Sequence, residues 1–170
     1  MSSDLLPPYK NMSKSFSHIT QTNEHDVPRL FAVWESSVRA THSFLSEADL
    51  ITLIPLARAE IAAFNPIYCL RDLHQQPFAM LGMQGSKIDM LFVHADYRGR
   101  GAGRLLTEFA IHTLHADCVD VNEQNALAVG FYQYMGFHRV GRSATDSAGH
   151  PFPILHLALH SAGSIHSSII

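Results

Sequence analysis

A mixed α+β fold in a single domain is what the sequence predicts, and three observations support that prediction. Two apolar runs, 67–71 and 78–83, flank a turn-like segment and indicate an antiparallel hairpin. A nearly continuous apolar run at 88–93 is typical of a strand covered on both faces. A glycine-rich segment, a helical pattern and another strand then follow. Together these features predict a central, mostly antiparallel sheet of about seven strands with flanking helices.

Each predicted strand is short and is bounded by turn residues or by a change in the hydrophobic period. In chain order the strands cover residues 15–20, 67–71, 78–83, 88–93, 118–121, 137–141 and 153–159. The first of them alternates only weakly. The last two are joined through a turn with the sequence Asp146-Ser147-Ala148-Gly149.

The front half of the chain contains the longest helical patterns. Apolar residues recur at helical spacing over 26–39, with Asn23 or Asp26 in position to cap the helix. Residues 43–64 predict one or two further helices. We expect an interruption near Pro55, because proline lacks the N–H that a helix interior uses.

Two later helices lie on either side of the predicted fifth strand. One covers 101–115, and the other covers 126–135 and is ended by Gly136. The first has an amphipathic pattern, and its predicted buried stripe is Leu105, Leu106, Phe109 and Leu114.

Length and composition set the domain organisation. The chain has 170 residues, of which 46% are hydrophobic and 16% charged, so it is long and apolar enough to bury one core. The domain is expected to cover 15–160, with flexible termini at 1–14 and 161–170. A monomer or a homodimer is expected.

Charge and hydropathy point to a soluble cytoplasmic protein. The formal net charge is -3 and no long run of one sign occurs, so neither nucleic acid nor a membrane surface is an expected partner. The first fourteen residues do not resemble a signal peptide, and no segment has the length and apolarity of a membrane span. Cys69 and Cys118 are expected to be reduced thiols in a reducing compartment.

Histidine is unusually frequent, with twelve residues. His112 and His115 are three apart, and His156 and His160 are four apart, so either pair has a spacing that two metal ligands can share. A closed zinc site needs about four ligands, and the sequence supplies no matching set of cysteines or carboxylates. The prediction is therefore that no metal is bound.

The glycine-rich segment after residues 88–93 is the most informative part of the chain. Glycines at alternate positions let the backbone turn tightly and let an anion approach its N–H groups. The start of the following helix adds unpaired amides and the positive end of its dipole. A pyrophosphate is the predicted ligand. The residues concerned are Gly99, Gly101 and Gly103, with the cations Arg98, Arg100 and Arg104.

Three other interpretations of this loop compete with a pyrophosphate site. A Walker loop would end in Gly-Lys-Ser or Gly-Lys-Thr, whereas this one continues Gly-Ala-Gly-Arg. A dinucleotide site would need G-x-G-x-x-G, although Asp120 lies at a suitable distance for a ribose contact. The third interpretation is a glycine-rich turn whose arginines face solvent.

Two blocks of sequence resemble the GNAT superfamily of acetyl-CoA-dependent acyltransferases. Arg98-x-x-Gly101-x-Gly103 is similar to that family's phosphate-loop signature. Asn125-x-x-Ala128-x-x-Phe131-Tyr132, followed by Gly136-Phe137, is similar to its N-x-x-A-x-x-F-Y helix. The front segment Ala40-Thr41-His42-x-Phe44-Leu45 further resembles the YjaB-type bacterial subgroup. The resemblance covers about residues 16–159.

The resemblance implies that acetyl-CoA is the co-substrate and that its acetyl group passes to an amine of a small molecule or a peptide. It also implies that the strands carrying Leu91 and Val121 splay apart and that the pantetheine arm enters between them. The implied cofactor-binding residues are Leu91, Phe92, Val93, Arg98, Gly99, Arg100, Gly101, Ala102, Gly103, Arg104, Asn125 and Tyr132.

Acetyl transfer to an amine requires a proton acceptor, a donor for the developing oxyanion and an acid for the departing sulfur. By resemblance Tyr132 is that acid, and a phenol is protonated at neutral pH. A backbone N–H near Val93 is a candidate oxyanion donor. Asp89 and Asp120, on adjacent predicted strands, are the candidate bases.

The acceptor site is expected on the front segment, where His42 and Glu47 are the candidate substrate-binding residues. The predicted mechanism is direct attack of the amine in a ternary complex. One alternative is an acetyl-CoA sensor without turnover, and the other is an NAD-dependent oxidoreductase.

Overall fold

The structure, a computed structural model, describes residues 18–159. They divide into two compact units, one ending at Ala116 and the other beginning at Asp117. The predicted α+β class is confirmed. In chain order the elements are β1 (Ile19–Gln21), α1 (Val27–Thr41), α2 (Glu47–Ala63), β2 (Ile67–Arg71), β3 (Pro77–Gln84), β4 (Lys87–Val93), α3 (Ala102–His112), β5 (Cys118–Asn122), α4 (Ala126–Tyr134), β6 (Phe137–Ser143) and β7 (Ile154–Leu159).

Some predictions concern residues outside 18–159 or the arrangement of one unit relative to the other, and these are not tested by the structure. The predicted first strand began at residue 15, and its residues 15–17 lie outside the described part, as do the predicted flexible termini and His160. The domain limits 15–160 and the splaying of β4 from β5 stay predictions.

In the first unit, β1 to β4 form an antiparallel meander in which each strand pairs with the next. Side chains of α1 and α2 cover one face and enclose the main core with Ile67, Met80 and Met90. The helix α3 packs on β3 and β4. Its Phe109 meets Tyr68 of β2 edge to face, with the ring centroids 5.2 Å apart. The meander is thus covered by helices that come from both before and after it in the chain.

Polar contacts just before α1 hold the α1–α2 pair to strand β2 of the same unit. Asn23 caps a 3-10 turn at Glu24–Asp26, and its side chain accepts from the amide of His25. Asp26 makes no cap bond to α1. It instead receives two hydrogen bonds from Arg71 of β2, at 2.9 and 2.7 Å. Of the two residues predicted as caps, Asn23 is therefore the one that caps, at the 3-10 turn.

A close packing contact fixes the other end of the pair. Phe64 follows α2 and lies over Gly82 of β3, where an added Cβ would come within 2.7 Å of Phe64 Cε1. Glycine at position 82 is needed for this approach, because any larger residue would push the ring away.

The helix α2 departs from the prediction at Pro55. An interruption was expected there, but α2 runs unbroken from Glu47 to Ala63 with Pro55 inside it. The loss of one backbone hydrogen bond is offset by the burial of Leu50, Ala57 and Ile61. A capping box at Ser46, in which Ser46 and Asp49 exchange hydrogen bonds, begins the helix.

The helix α3 is shorter than predicted. It ends at His112, and His115 has φ of 59°, which turns the chain towards β5. Leu105, Leu106 and Phe109 are buried as the amphipathic pattern predicted. Leu114 lies beyond the helix and is half-buried, so the predicted stripe is one residue too long.

In the second unit, β7 lies between β5 and β6 and pairs antiparallel with both. The helix α4 packs against β6 and β5. It stops as predicted at Gly136, whose φ of 97° lies in the left-handed region. A β-bulge at residue 140 shifts the register of β6 against β7. As a result, Gly141 of β6 lies opposite His156 of β7.

Candidate functional site

The glycine-rich loop has the backbone that an anion cradle requires. Gly99 and Gly101 have φ of 71° and 89°, and Gly101 is the N-cap residue of α3. An added Cβ at either position would meet no protein atom within 4 Å. The left-handed backbone therefore explains why glycine stands here, and the space beside it is open to a ligand.

Arginine side chains surround this loop. Arg98, Arg100 and Arg104 are exposed, which leaves their side chains accessible to a ligand; their predicted role in binding pyrophosphate stays a prediction. Arg104 donates to Glu108 one turn along α3 at 2.7 Å, and the guanidinium of Arg100 lies 5.8 Å from the ring centroid of Tyr97. Positive charge and helix amides thus share one corner of the first unit, and this fits a pyrophosphate.

The strand β4 leads into this loop. Its last residues Leu91, Phe92 and Val93 pair with Leu81, Met80 and Ala79 of β3 and are half-buried. The N–H of His94, just after Val93, donates to the carbonyl of Phe78 at 2.8 Å. That amide is therefore occupied by β3. The proposed oxyanion donor near Val93 has to be another backbone group, and it stays a prediction.

Asn125 and Tyr132 lie at the two ends of α4. The side-chain oxygen of Asn125 accepts from the amide of Ala128 at 3.2 Å, so Asn125 is the N-cap of this helix. Tyr132 is buried, and its ring meets those of Phe131 and Phe137 edge to face, with centroids 5.1 and 5.6 Å away. Asn125 therefore stabilises the start of α4, and its predicted contact with the cofactor would be a second role.

The environment of Tyr132 keeps its hydroxyl protonated. Burial raises the pKa of the phenol well above its ordinary value, because the phenolate would lose its hydration. The group is consequently a neutral O–H donor across the physiological pH range. This protonation state is the one that the predicted acid requires.

Asp89 lies at an irregular point of β4. Met90 pairs with Gly82 and Ile88 pairs with Met83, so Asp89 is the extra residue of a β-bulge. Its carboxylate lies 3.2 Å from Nζ of Lys87. Glu60 of α2 was not predicted, yet loss of hydration and then repulsion by Asp89 raise the pKa of the Glu60 carboxyl. The sequence could not reveal this pair, because it arises from the packing of α2 on the sheet.

Asp120 has a partner that the sequence did not indicate. Its Oδ1 lies 2.6 Å from Nδ1 of His156, the residue directly opposite on β7. Ser143 of β6 lies with its Oγ 2.8 Å from Nε2 of the same imidazole. From the sequence, His156 belongs only to a histidine pair with a spacing that two metal ligands can share, and Ser143 has no predicted role. Strand register was the missing information.

The two candidate acceptor-binding residues lie near the α1–α2 connection. His42 ends α1, and its Nδ1 lies 2.7 Å from Oγ1 of Thr41. Burial lowers the pKa of the His42 imidazole, with a weaker opposing effect from the carbonyl of Val38. Glu47 is exposed and accepts two hydrogen bonds from NH1 of Arg39, at 3.2 and 3.1 Å. Their predicted roles in substrate binding remain predictions.

Two further findings apply to residues 18–159. Within this range, no three or more His, Cys, Asp or Glu side chains are grouped so as to hold a metal ion. The helices of the same range are all too short or too polar to cross a membrane. Within residues 18–159, neither Cys69 nor Cys118 forms a disulfide.

Comparison with known proteins identifies the family. A family model described as an acetyltransferase (GNAT) domain matches residues 75–153. Two relatives, the peptidyl-lysine N-acetyltransferases YjaB of Salmonella typhimurium and Escherichia coli, are 36% and 38% identical over 140 residues. The alignments cover 82% of this chain and 96% and 95% of the two relatives.

Solved structures agree with this assignment. The solution structure of apo YjaB from Escherichia coli matches with a TM-score of 0.78 and 37% identity, over 85% of this chain and 97% of that one. The PaiA N-acetyltransferase of Thermoplasma acidophilum, in complex with coenzyme A, matches with a TM-score of 0.61 and 17% identity, over 81% of this chain and 96% of that one. The latter likeness shows the fold alone. The chain belongs to the GNAT family of acetyltransferases, enzymes that transfer an acetyl group to an amine.

Proposed function

We propose that this enzyme acetylates lysine side chains of proteins or peptides, with acetyl-CoA as the donor. The observation that carries the proposal is its similarity, over nearly their whole length, to two relatives named as peptidyl-lysine N-acetyltransferases. Because the chain belongs to the GNAT family, the alternative of an NAD-dependent oxidoreductase is dropped. A cytoplasmic location, where the thiols would stay reduced, is part of the same proposal.

The glycine-rich loop is the proposed binding site for the pyrophosphate of the donor. Gly99 and Gly101 give the chain its left-handed turns, and the amides at the start of α3 point out of a helix end that favours anions. Arg98, Arg100 and Arg104 supply positive charge. Ala102 and Gly103 form the first turn of α3, while Leu91, Phe92, Val93 and Asn125 are the proposed contacts of the pantetheine arm.

The bound donor supplies an acetyl thioester. The protein has to provide one proton to the departing sulfur and to accept one from the attacking amine. Tyr132 is the proposed acid for the departing sulfur. Its aromatic contacts fix the ring, and the O–H is in its neutral, donating form at physiological pH. General acid assistance of this kind contributes about 10²–10⁴ in rate.

The proton of the attacking amine needs an acceptor, and Asp89 and Asp120 are the candidates. Asp89 shares its surroundings with Glu60, so two carboxylates are available to attract an ammonium group and to take its proton. Asp120 acts together with His156, to which it is hydrogen-bonded. The two candidates are separable by Asp89→Asn and Asp120→Asn. Loss of about 10²-fold or more in kcat identifies the base, while a change in KM alone identifies a substrate-binding residue.

His42 and Glu47 are the proposed acceptor-side residues. The imidazole of His42 is neutral at pH 7 because burial lowers its pKa, so it offers a hydrogen bond rather than a charge. Glu47 carries negative charge near the start of α2 but shares it with Arg39. We expect His42→Ala and Glu47→Gln to raise KM for the acceptor and to leave the affinity for acetyl-CoA unchanged.

A three-acceptor assay tests the proposed function. The acceptors are a peptide with one lysine and a blocked N-terminus, the same peptide with arginine for lysine and a free N-terminus, and spermidine. Mass spectrometry should find acetyl on the lysine peptide. Exclusive acetylation of the α-amine or of spermidine would overturn the peptidyl-lysine assignment.

The same assay separates an enzyme from a sensor. Thermal stabilisation by acetyl-CoA without acetylation of any acceptor would support the sensor alternative. Initial rates measured while both substrates are varied should give intersecting reciprocal plots, as direct attack in a ternary complex requires. Parallel plots would indicate an acetyl-enzyme instead.

A further inference from the structure

Three side chains of the second unit form a continuous hydrogen-bonded chain. Asp120 Oδ1 lies 2.6 Å from His156 Nδ1, and His156 Nε2 lies 2.8 Å from Ser143 Oγ. The three residues come from three neighbouring strands, β5, β7 and β6. Asp120 is paired directly with His156, and Ser143 is two residues beyond Gly141, which pairs with His156 on the other side. All three side chains therefore lie on the same face of these strands.

The carboxylate fixes the role of each nitrogen. An ionised Asp120 only accepts, so Nδ1 of a neutral His156 carries the hydrogen and donates it. Nε2 then holds the lone pair and accepts the Ser143 O–H. This order of donors and acceptors is the one in which an imidazole removes a proton from a hydroxyl.

The strand geometry also makes room for the imidazole. The bulge at residue 140 brings Gly141 opposite His156, and an added Cβ at Gly141 would lie 3.3 Å from His156 Cδ2. A side chain at position 141 would press on the ring. The side chains of His156 and Asp120 are each 39% exposed, so a small substrate has access to the group.

A hydroxyl bonded to a base that is itself oriented by a third group is the signature of an activated nucleophile. We propose that Ser143, His156 and Asp120 form a reactive triad that takes acyl groups from activated esters and thioesters and passes them to water. Ser143 is the nucleophile, His156 its general base and Asp120 the group that orients the imidazole.

The proposed reaction has two balanced steps. Ser143 Oγ bonds to the acyl carbon while its proton passes to His156 Nε2. The bond from that carbon to the aryl oxide or thiolate then breaks, and the leaving group departs with the proton. Water next attacks the acyl-serine and gives a proton to Nε2. Release of the carboxylic acid returns the proton to Ser143.

The expected acceleration is that of general base catalysis alone, without a contribution from oxyanion donors. That effect is about 10²–10⁴-fold relative to an ordinary serine hydroxyl. The centre should therefore be a slow esterase with a readily labelled serine. Its activity needs neither acetyl-CoA nor an amine, so it stands or falls independently of the proposed lysine acetylation.

The test uses the full chain and two probes, p-nitrophenyl acetate and a fluorophosphonate. Peptide mass spectrometry should place the fluorophosphonate adduct on Ser143, and release of p-nitrophenol should exceed that of Ser143→Ala. His156→Gln should slow both reactions by about 100-fold or more, and Asp120→Asn by about tenfold or more. Thermal unfolding of each variant verifies that it is folded.

A matched control comes from a second histidine–aspartate pair in the same unit. His150 Nδ1 lies 3.0 Å from Asp146 Oδ2 in the connection between β6 and β7. His150→Gln should react with both probes at the wild-type rate. Wild-type protein that gains no adduct on Ser143, or a His156→Gln variant that is labelled as fast as wild type, would overturn the proposal.

Discussion

The left-handed turn at Gly101 allows a quantitative test of the loop. In the folded chain Gly101 has φ of 89° and ψ of 0°, and an alanine methyl there would meet no protein atom within 4 Å. Replacing Gly101 by alanine therefore creates no steric clash with the rest of the protein. Gly101→Ala changes only the backbone energy of one residue and the space available to a ligand.

The expected loss of stability follows from the dihedral angle. An L-residue in the left-handed region costs about 1–2 kcal/mol relative to glycine. For a domain of this size, that loss lowers Tm by roughly 2–8 °C. Gly130→Ala is the matched control, because Gly130 lies inside α4 and an added Cβ again meets nothing within 4 Å. There the same substitution should stabilise the protein by about 0.5–1 kcal/mol.

The ligand effect is measured in the same experiment. Acetyl-CoA at a hundred times its Kd should add about 2.7 kcal/mol to the free energy of unfolding of the wild-type protein. If the methyl at position 101 weakens binding tenfold, the same concentration should add only about 1.4 kcal/mol. Differential scanning calorimetry of the wild-type protein, Gly101→Ala and Gly130→Ala, each with and without acetyl-CoA, gives the six values that the comparison needs.

Two results would refute this reasoning. If Gly101→Ala were as stable as Gly130→Ala, the backbone argument would be wrong. If Gly101→Ala were destabilised but still gained the full increment from acetyl-CoA, the turn would be structural and the anion would bind elsewhere.

Further predictions concern single side chains. Tyr132→Phe should keep the aromatic contacts, the Tm and the acetyl-CoA shift but lose about 100-fold or more in kcat. Asp26→Asn should cost about 2 kcal/mol at pH 7, because it breaks the half-buried pair with Arg71. Since Arg71 lowers the pKa of Asp26, this stability is present above the ordinary value of 3.8 and is lost as pH falls through the folded value. His42→Gln should flatten the fall in stability on acidification below about pH 6.5.

The controls for these variants are direct. Unchanged turnover in Tyr132→Phe would remove the acid assignment. For Asp26→Asn, urea unfolding at pH 7 and pH 3 gives the free energy of unfolding at both values. If the difference from wild type were the same at pH 7 and pH 3, the linkage to Asp26 would be contradicted. The pKa of His42 is lowered, so protons bind more readily to the unfolded chain, and wild type must lose stability as pH falls. A His42→Gln curve parallel to the wild-type curve would show that another group titrates.

Local patterns predicted most elements, because strand and helix periods are properties of adjacent residues. The runs that became β2, β3 and β4 were correct to within two residues at either end, and Gly136 ended α4 as its position predicted. Pro55 misled the prediction, because the penalty of a proline is local whereas the burial that outweighs it comes from tertiary packing.

The candidate site was predictable only where its residues are close in sequence. The loop between β4 and α3 could be read directly, since its glycines and arginines are consecutive. The partners of Asp120 could not be predicted, because His156 and Ser143 are separated from it by whole elements. The bulge at residue 140 decides which residue of β6 faces His156, and no local pattern marks it.

The contact between Phe64 and Gly82 has a consequence for exchanging segments between family members. Because the Phe64 ring rests on bare backbone, its position depends on the size of one residue in β3. Exchanging the α1–α2 segment with that of another family member requires that residue 82 be exchanged with it. An alanine at position 82 would force the Phe64 ring to shift by tenths of an ångström, so stepwise enlargement at this position would measure how firmly the ring is held against β3.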